Sequence, residues 1–445
     1  MDKFFKIRAR GSTLGKEIIG GLTTFFAMAY IIVVNPNILS GAGMDPQAVM
    51  VATCISAAIG CLLTALLANL PFAQAPGMGL NAFFAFSVAT AGLGFGMGYT
   101  WQQALSIVLI SGVLFLLVTL TPLRKLVISS IPACLKAAIG AGIGLFIAFS
   151  GLINSGSGVV ALDSANNITK LNLTVDGILN SHALLTIIGL IIMAVLLAWK
   201  VKGAIFIGIV ATTLIGIPMG VTVIPESLTT SIDFTGTFFK FDFAGLMDHG
   251  VLTLITAVVS FFLVDMFDTI GTLVGTAGNA NMLDKDGNLP GGDRVLIADA
   301  VATCTGACLG TSTVTTYVES SAGIAEGART GLSSVVVGLL FLVAVVLAPV
   351  AGIVPGAATA PALIMVGVFM LKSAARIAWD NMEEAIPSFL TIAMMPFCYS
   401  ISDGIGFGFI SYTLIKIFRG KFKEVPILVY IISAFFVAMY ILKNI

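Results

Sequence analysis

Two stretches of the chain share a layout: NLPFAQAPGMGLNAFFAFSVATAG at 69–92 and LGTSTVTTYVESSAGIAEG at 309–327. Each begins with residues that favour extended backbone. In the first these are Pro71 and Pro76; in the second they are the β-branched run Thr313, Val314, Thr315 and Thr316. Each then runs into a short apolar helix, expected at 79–90 and 318–328. A helix of about 12 residues rises only about 18 Å, little more than half of the hydrocarbon of a bilayer. Such a half-helix has to be buried in protein, or its free end would go unsatisfied in lipid.

Working outward, two full spans precede each stretch, at 18–39 and 48–69 in the first half and at 250–275 and 293–309 in the second. A full span and three further segments follow each. The remaining full spans are expected at 101–121, 127–151, 183–199, 203–220, 331–350 and 355–374, with shorter segments at 387–401 and 403–418. Seven segments per half is an odd number, so the second half enters from the opposite face. The fold expected is therefore an all-α polytopic membrane protein. Its fourteen segments form two inverted seven-segment repeats, with two broken half-helices preceded by short extended strands, the construction of many secondary transporters. Residues 424–442 form an apolar stretch beyond this plan, so the side of the C-terminus stays open.

The composition agrees. Of 445 residues, 58% are hydrophobic and 10% charged, against about 25% charged in a soluble domain. That excludes a cytosolic enzyme and a disordered scaffold. Lys and Arg balance Asp and Glu at 22 each, so no charge excess points to a nucleic acid partner. The expected environment is the lipid bilayer of the cell membrane, crossed many times. Basic residues give the orientation: Lys3, Lys6, Arg8, Arg10 and Lys16 precede the first span. Arg124, Lys125, Lys200 and Lys202 flank later ones. Loops 152–182 and 221–249 are acidic. The positive-inside rule places the N-terminus in the cytoplasm.

Acids within the spans are few, and a carboxylate in hydrocarbon costs several kcal/mol, so each one faces a cavity, a partner or a proton. FFLVDMFDTIGTLVG carries Asp265 and Asp268, three apart on one broad helix face. Helix–helix glue competes for Asp265, through hydroxyls on a neighbour. Glu319 opens the second short helix, where capping competes with substrate contact. Asp299 is expected to bond a neighbouring helix, and Glu326 with Arg329 to form an ion pair at the mouth. In the first short helix Asn81 offers donors and an acceptor to a heterocycle edge, or a plain cap. Gly77 and Gly79 allow close backbone approach. Phe83 and Phe84 would stack on a flat ring or simply pack. GAGIG at 140–144 suits close helix packing. No Walker sequence, GxSxG or HExxH occurs, so nothing points to ATP-driven transport, hydrolysis, a metal or another cofactor.

TTFFAMAYIIVVNP (23–36), QAPGMGLNAFFAF (74–86), VDMFDTIGTLVG (264–275) and GTSTVTTYVESSAGIAEGARTGL (310–332) together resemble the adenine/guanine/hypoxanthine permeases. This is the AzgA-like branch of the nucleobase–cation symporters, in the nucleobase–ascorbate class. The resemblance runs from about residue 10 to the C-terminus. It implies a core domain of segments 1–4 and 8–11 (residues 1–121 and 250–352). It also implies a gate domain of segments 5–7 and 12–14 (122–249 and 353–445, the latter with the extra C-terminal helix). By motif position, Asp268 and Glu319 match the carboxylates that hold the base in uracil and xanthine permeases, and Asn81 matches an asparagine implicated in purine recognition. Thr272 stands where uracil permeases carry a histidine, and Asp265 has no acidic counterpart there.

The function expected is import of a purine nucleobase by proton symport with alternating access, the proton being the coupling ion. The expected substrate contacts are Asn81, Asp268, Glu319, Gly79, Phe83 and Thr316. Proton coupling is expected from Asp265, Asp268 and Glu319. The sequence leaves a homodimer open. The alternative in the same class is a sulfate- or bicarbonate-type anion transporter, which three buried acids without a buried Lys or Arg argue against; a channel fits half-helices less well.

Overall fold

In a computed structural model, the described residues are 2–91, 96–121, 130–153, 159–162, 168–171, 180–224, 235–279, 282–284, 289–346 and 353–443. Arg124, Lys125, the start of the 127–151 segment, the end of the 331–350 segment and much of the two acidic loops lie outside them. The chain is a helical membrane bundle built from two inverted repeats. In the first half the helices are α1 (Leu14–Met28), α2 (Ile31–Ser40), α3 (Pro46–Leu63), α4 (Met78–Phe83), α5 (Trp101–Leu120), α6 (Ala133–Ile153), α7 (Ser181–Ala198) and α8 (Ala204–Gly216). In the second half they are α9 (Val251–Asn279), α10 (Gly292–Leu309), α11 (Ser320–Ala325), α12 (Gly331–Ala344), α13 (Gly356–Leu371), α14 (Met382–Phe397) and α15 (Ile401–Phe418). The extra stretch is α16 (Ile427–Lys443), which packs on α15 and is tied to it by the Thr413 and Ser433 hydroxyls at 2.8 Å.

The expected half-helices are present. Strand β1 (Gln74–Pro76) precedes α4, and a second central strand (Val314–Thr316) precedes α11. Two short strands lie between them in sequence, β2 (Val160–Leu162) and β3 (Ile168–Leu171), which pair with each other; the second central strand is therefore β4. Strands β1 and β4 pair antiparallel, with Gln74 opposite Thr316 and Pro76 opposite Val314. The residues of both are fully buried. Their mutual pairing is what lets non-helical backbone exist at this depth, because no water is available to satisfy it. Pro76 is tolerated because its missing N–H would face away from β4, as do both polar groups of Val314 opposite.

The boundaries shift in places. The first span is two helices, α1 and α2, broken around Ala29 and Tyr30; the apolar run from 18 to 39 gave no sign of a break there, although Pro36 follows within α2. The segment expected from 387 starts at Met382, because the Asn381 side chain accepts from the Glu383 N–H and caps it. Packing sorts the helices into two groups, each drawing on both halves. Helices α10 and α12 lie on α3, α10 also on α5, and α12 also on α1; α9 runs along α5. In the other group α13 and α14 pack on α6, α7 on α8 and α13, and α15 on α14. Within GAGIG, Gly144 sits against Gly367 and Met370, where a Cβ would collide with the Gly367 carbonyl.

Candidate functional site

A cavity of about 70 Å³ opens where the crossed strands meet α9 and α13. It forms here because the strands end at mid-bundle, leaving a gap that neither half-helix fills. Asp268 from α9 and Glu319, which stands just before α11, both line it and are half-buried. The Tyr30 hydroxyl, set at the break between α1 and α2, donates to Glu319 Oε1 at 2.6 Å. The Thr315 hydroxyl from β4 donates to Asp268 Oδ2 at 3.3 Å. Thr316, Tyr317, Gly77 and Gly79 complete the polar side, and Val366, Phe369 and Met370 of α13 form the apolar side. Among the described residues, no Lys, Arg or His lines this cavity.

Of the residues singled out in the sequence, Asp268, Glu319, Gly79 and Thr316 meet at the cavity. Gly79 is required there: a Cβ would collide with Ile143 on α6. Asn81 and Phe83 do not line it. The Asn81 Oδ1 accepts from the Ser312 hydroxyl at 2.5 Å, and its amide lies 3.5 Å from the Pro76 carbonyl. Asn81 thus ties the first half-helix to the chain entering β4. The Phe83 ring is buried against Phe261, with centroids 4.8 Å apart. Glu326 and Arg329 do not pair with each other: Glu326 bonds Lys202, and the Arg329 guanidinium donates to the Ile324 and Ala328 carbonyls, which lie closer along its own turn.

A second layer of acids lies behind β4. Asp265 and Asp299 are 2% and 0% exposed, and one oxygen of each has no hydrogen-bond partner among the described residues. Their other oxygens meet threonines across the α9–α10 contact. Thr303 of α10 approaches Asp265 Oδ2 at 3.1 Å, and Thr269 of α9 donates to Asp299 Oδ2. Both threonine hydroxyls also accept backbone N–H groups of β4, from Val314 at 3.2 Å and from Thr316 at 3.3 Å. Thr303 is the more informative of the two, because its Oγ1 is also 3.1 Å from the Val314 carbonyl. A hydroxyl has one proton and cannot donate to Asp265 and Val314 together. When the proton serves Val314, the contact with Asp265 requires a proton from the acid; when it serves Asp265, the bond to the strand carbonyl is given up.

Tyr30, Thr303 and Thr269 carried no sequence signal that set them apart, and Thr315 stood out only as part of a β-branched run. Hydroxyls are frequent in these helices, and the fold alone shows which ones face an acid. Thr272, where the uracil branch has a histidine, lines the cavity.

The model of the family described as "Permease family" (Xan_ur_permease) matches residues 15–407. The guanine/hypoxanthine permease PbuO of Bacillus subtilis is 44% identical, over 98% of this chain and 100% of that protein. The adenine permease AdeP of Escherichia coli is 42% identical, over 98% and 95%. A putative permease of Methanocaldococcus jannaschii is 45% identical, over 99% and 98%. Among solved structures, the transmembrane domain of a cyanobacterium bicarbonate transporter, BicA, superposes with a TM-score of 0.66 at 16% identity, covering 88% of this chain and 97% of that one. At that identity the likeness concerns the fold. With its paired half-strands, its mid-bundle cavity and a family match along most of its length, the chain belongs to the xanthine/uracil-type permease family.

Proposed function

We propose that the protein imports a purine nucleobase (adenine, guanine or hypoxanthine) by proton symport with alternating access. The observation that carries this is the lining of the small cavity: two half-buried carboxylates, hydroxyls beside them, an aromatic ring and, among the described residues, no cation. An inorganic anion would meet repulsion there, whereas the N–H edge of a purine finds acceptors in Asp268 and Glu319. Phe369 offers a face for the ring. Relatives named for adenine and for guanine/hypoxanthine support the substrate class.

In this reading the first packing group is the core domain (1–121 and 250–352) and carries the site. The second is the gate domain (122–249 and 353–445), against which the core moves. The N-terminus is cytoplasmic. The coupling proton rests on the acids at the site, Asp268 and Glu319, or on Asp265 behind the strand. Asp265 reports its charge to β4 through Thr303. Neutralising a buried acid lowers the cost of moving the loaded core past apolar surface.

The test is uptake of radiolabelled bases by purified protein in liposomes. Uptake should follow an imposed inward proton gradient and should be competed by purines. Full uptake with the gradient collapsed, or only with sodium, would remove the coupling reading. Sulfate or bicarbonate uptake in place of purine would move the protein to the anion-carrier class.

A further inference from the structure

A vestibule of about 630 Å³ adjoins the cavity and shares its wall at Asp268, Thr272, Phe369 and Met370. Its lining differs in kind. Lys136 at the start of α6, and Lys372 and Arg376 in the turn that follows α13, all border it. Among the described residues Asp268 is its only acid, and it lies on the wall shared with the cavity. The Arg376 guanidinium reaches across to α9, within 3.2 Å of where a Cβ on Gly275 would stand. The Lys372 ammonium lies 5.5 Å from the centre of the Phe369 ring. Neither Lys372 nor Arg376 is ion-paired with an acid among the described residues.

A neutral base does not need three cations at its doorway. We propose that this vestibule binds a purine nucleoside 5′-monophosphate, with its base towards Asp268 and Phe369 and its phosphate among Lys136, Lys372 and Arg376. The nucleotide would then compete with the transported base. The charge of the lining fits a dianionic phosphate, and arginine and lysine are the side chains that pair with it most strongly. The aromatic and carboxylate end continues the base site. The space is several times that of the inner cavity, which leaves room for the ribose. By the positive-inside rule, three cations at one end of the bundle mark the cytoplasmic face. That is where an imported base becomes charged once ribose 5-phosphate is attached to it. The vestibule would therefore sense the product of phosphoribosylation and slow further import. This rests on the purine reading above for the identity of the base, but not for the anion site.

The test uses the purified full-length chain in a neutral detergent, which removes anionic lipid headgroups as competitors. Binding of adenine, guanine or hypoxanthine is displaced in parallel by the matching nucleoside, the matching 5′-monophosphate and inorganic phosphate. Nucleotide binding is also measured directly by calorimetry with no base present, so that failure of base binding and failure of this site are told apart. The monophosphate should displace the base at least about tenfold more tightly than the nucleoside. Salt should erode that advantage. In the double variant Lys372→Gln, Arg376→Gln the ratio should fall to about one with the affinity for the base itself unchanged, which also verifies folding. A nucleotide no better than its nucleoside would overturn the proposal. So would phosphate alone competing as well as the nucleotide, or an advantage that survives in the variant.

Discussion

The two layers of acids differ in exposure and in partners, although Asp265 and Asp268, one from each layer, lie within one turn of each other on α9. Asp268 and Glu319 are half-buried, face a cavity and take hydroxyl hydrogen bonds from Thr315 and Tyr30. Asp265 and Asp299 are sealed behind β4, each with one oxygen left without a partner among the described residues. The strand separates them because its side chains and its outward backbone groups point different ways. Thr315 presents its side chain to Asp268, while Val314 and Thr316 present their N–H groups to the threonines that serve the inner acids. In the transport reading proposed above, the outer pair meets the ligand and the inner pair biases the strand that holds it.

The largest effect that would break this comparison is in the outer layer. Asp268→Asn and Glu319→Gln keep shape but remove the charged acceptor, which is worth about 1.5–3 kcal/mol for a hydrogen bond to a charged group. Base affinity by calorimetry should fall at least about tenfold in each, and uptake should be lost while the protein still reaches the membrane. Wild-type affinity in both would mean that neither carboxylate touches the base. In the inner layer, Thr303→Val leaves Asp265 and the outward groups of Val314 without their shared partner. Stability in a detergent melt should drop by about 1–3 kcal/mol. Base affinity should change less than in the outer variants, while the dependence of uptake on the proton gradient flattens. An unchanged gradient dependence would sever the link between Asp265 and the strand.

Asn81→Ala sharpens the same contrast from the other half of the chain. Because its Oδ1 is held by Ser312, the variant should lose about 0.5–1.5 kcal/mol of stability and weaken all bases by a common factor. A switch in base preference would instead place the amide against the purine. The smallest effect is expected for Tyr30→Phe. It removes one hydroxyl from Glu319, and base affinity should fall by about tenfold or less. A loss as large as that of Glu319→Gln would make the tyrosine a base contact in its own right.

Much of this was legible in the sequence. The paired half-helices could be read because 12-residue apolar runs cannot cross a bilayer, and Asp268 and Glu319 because acids are costly at that depth. The bond of Asp299 to a neighbouring helix also followed. Less legible was everything set by contacts between distant segments. Spacing alone puts Asp265 and Asp268 on one broad face; only the path of β4 between them separates their surroundings. The engagement of Asn81 by Ser312 joins residues 231 apart, and the break at Tyr30 lies inside a continuous apolar run. Glu326 takes its partner from Lys202 in the other packing group, which no local pattern could indicate.

The crossing of β1 with β4 also has a history in time. Gln74 meets Thr316 across 242 residues of chain. During synthesis the first half enters the bilayer with the polar backbone of β1 still lacking its partner. That strand stays unmatched until the last turns of α10 have been inserted and β4 follows. Until then the nascent protein carries an open seam of peptide groups, which lipid cannot satisfy and which a membrane chaperone or a passing strand edge could occupy. Assembly of the site is thus a late event in the birth of the molecule. A chain that stops short of Val314 is left unfinished at its centre, with its earlier helices already in place.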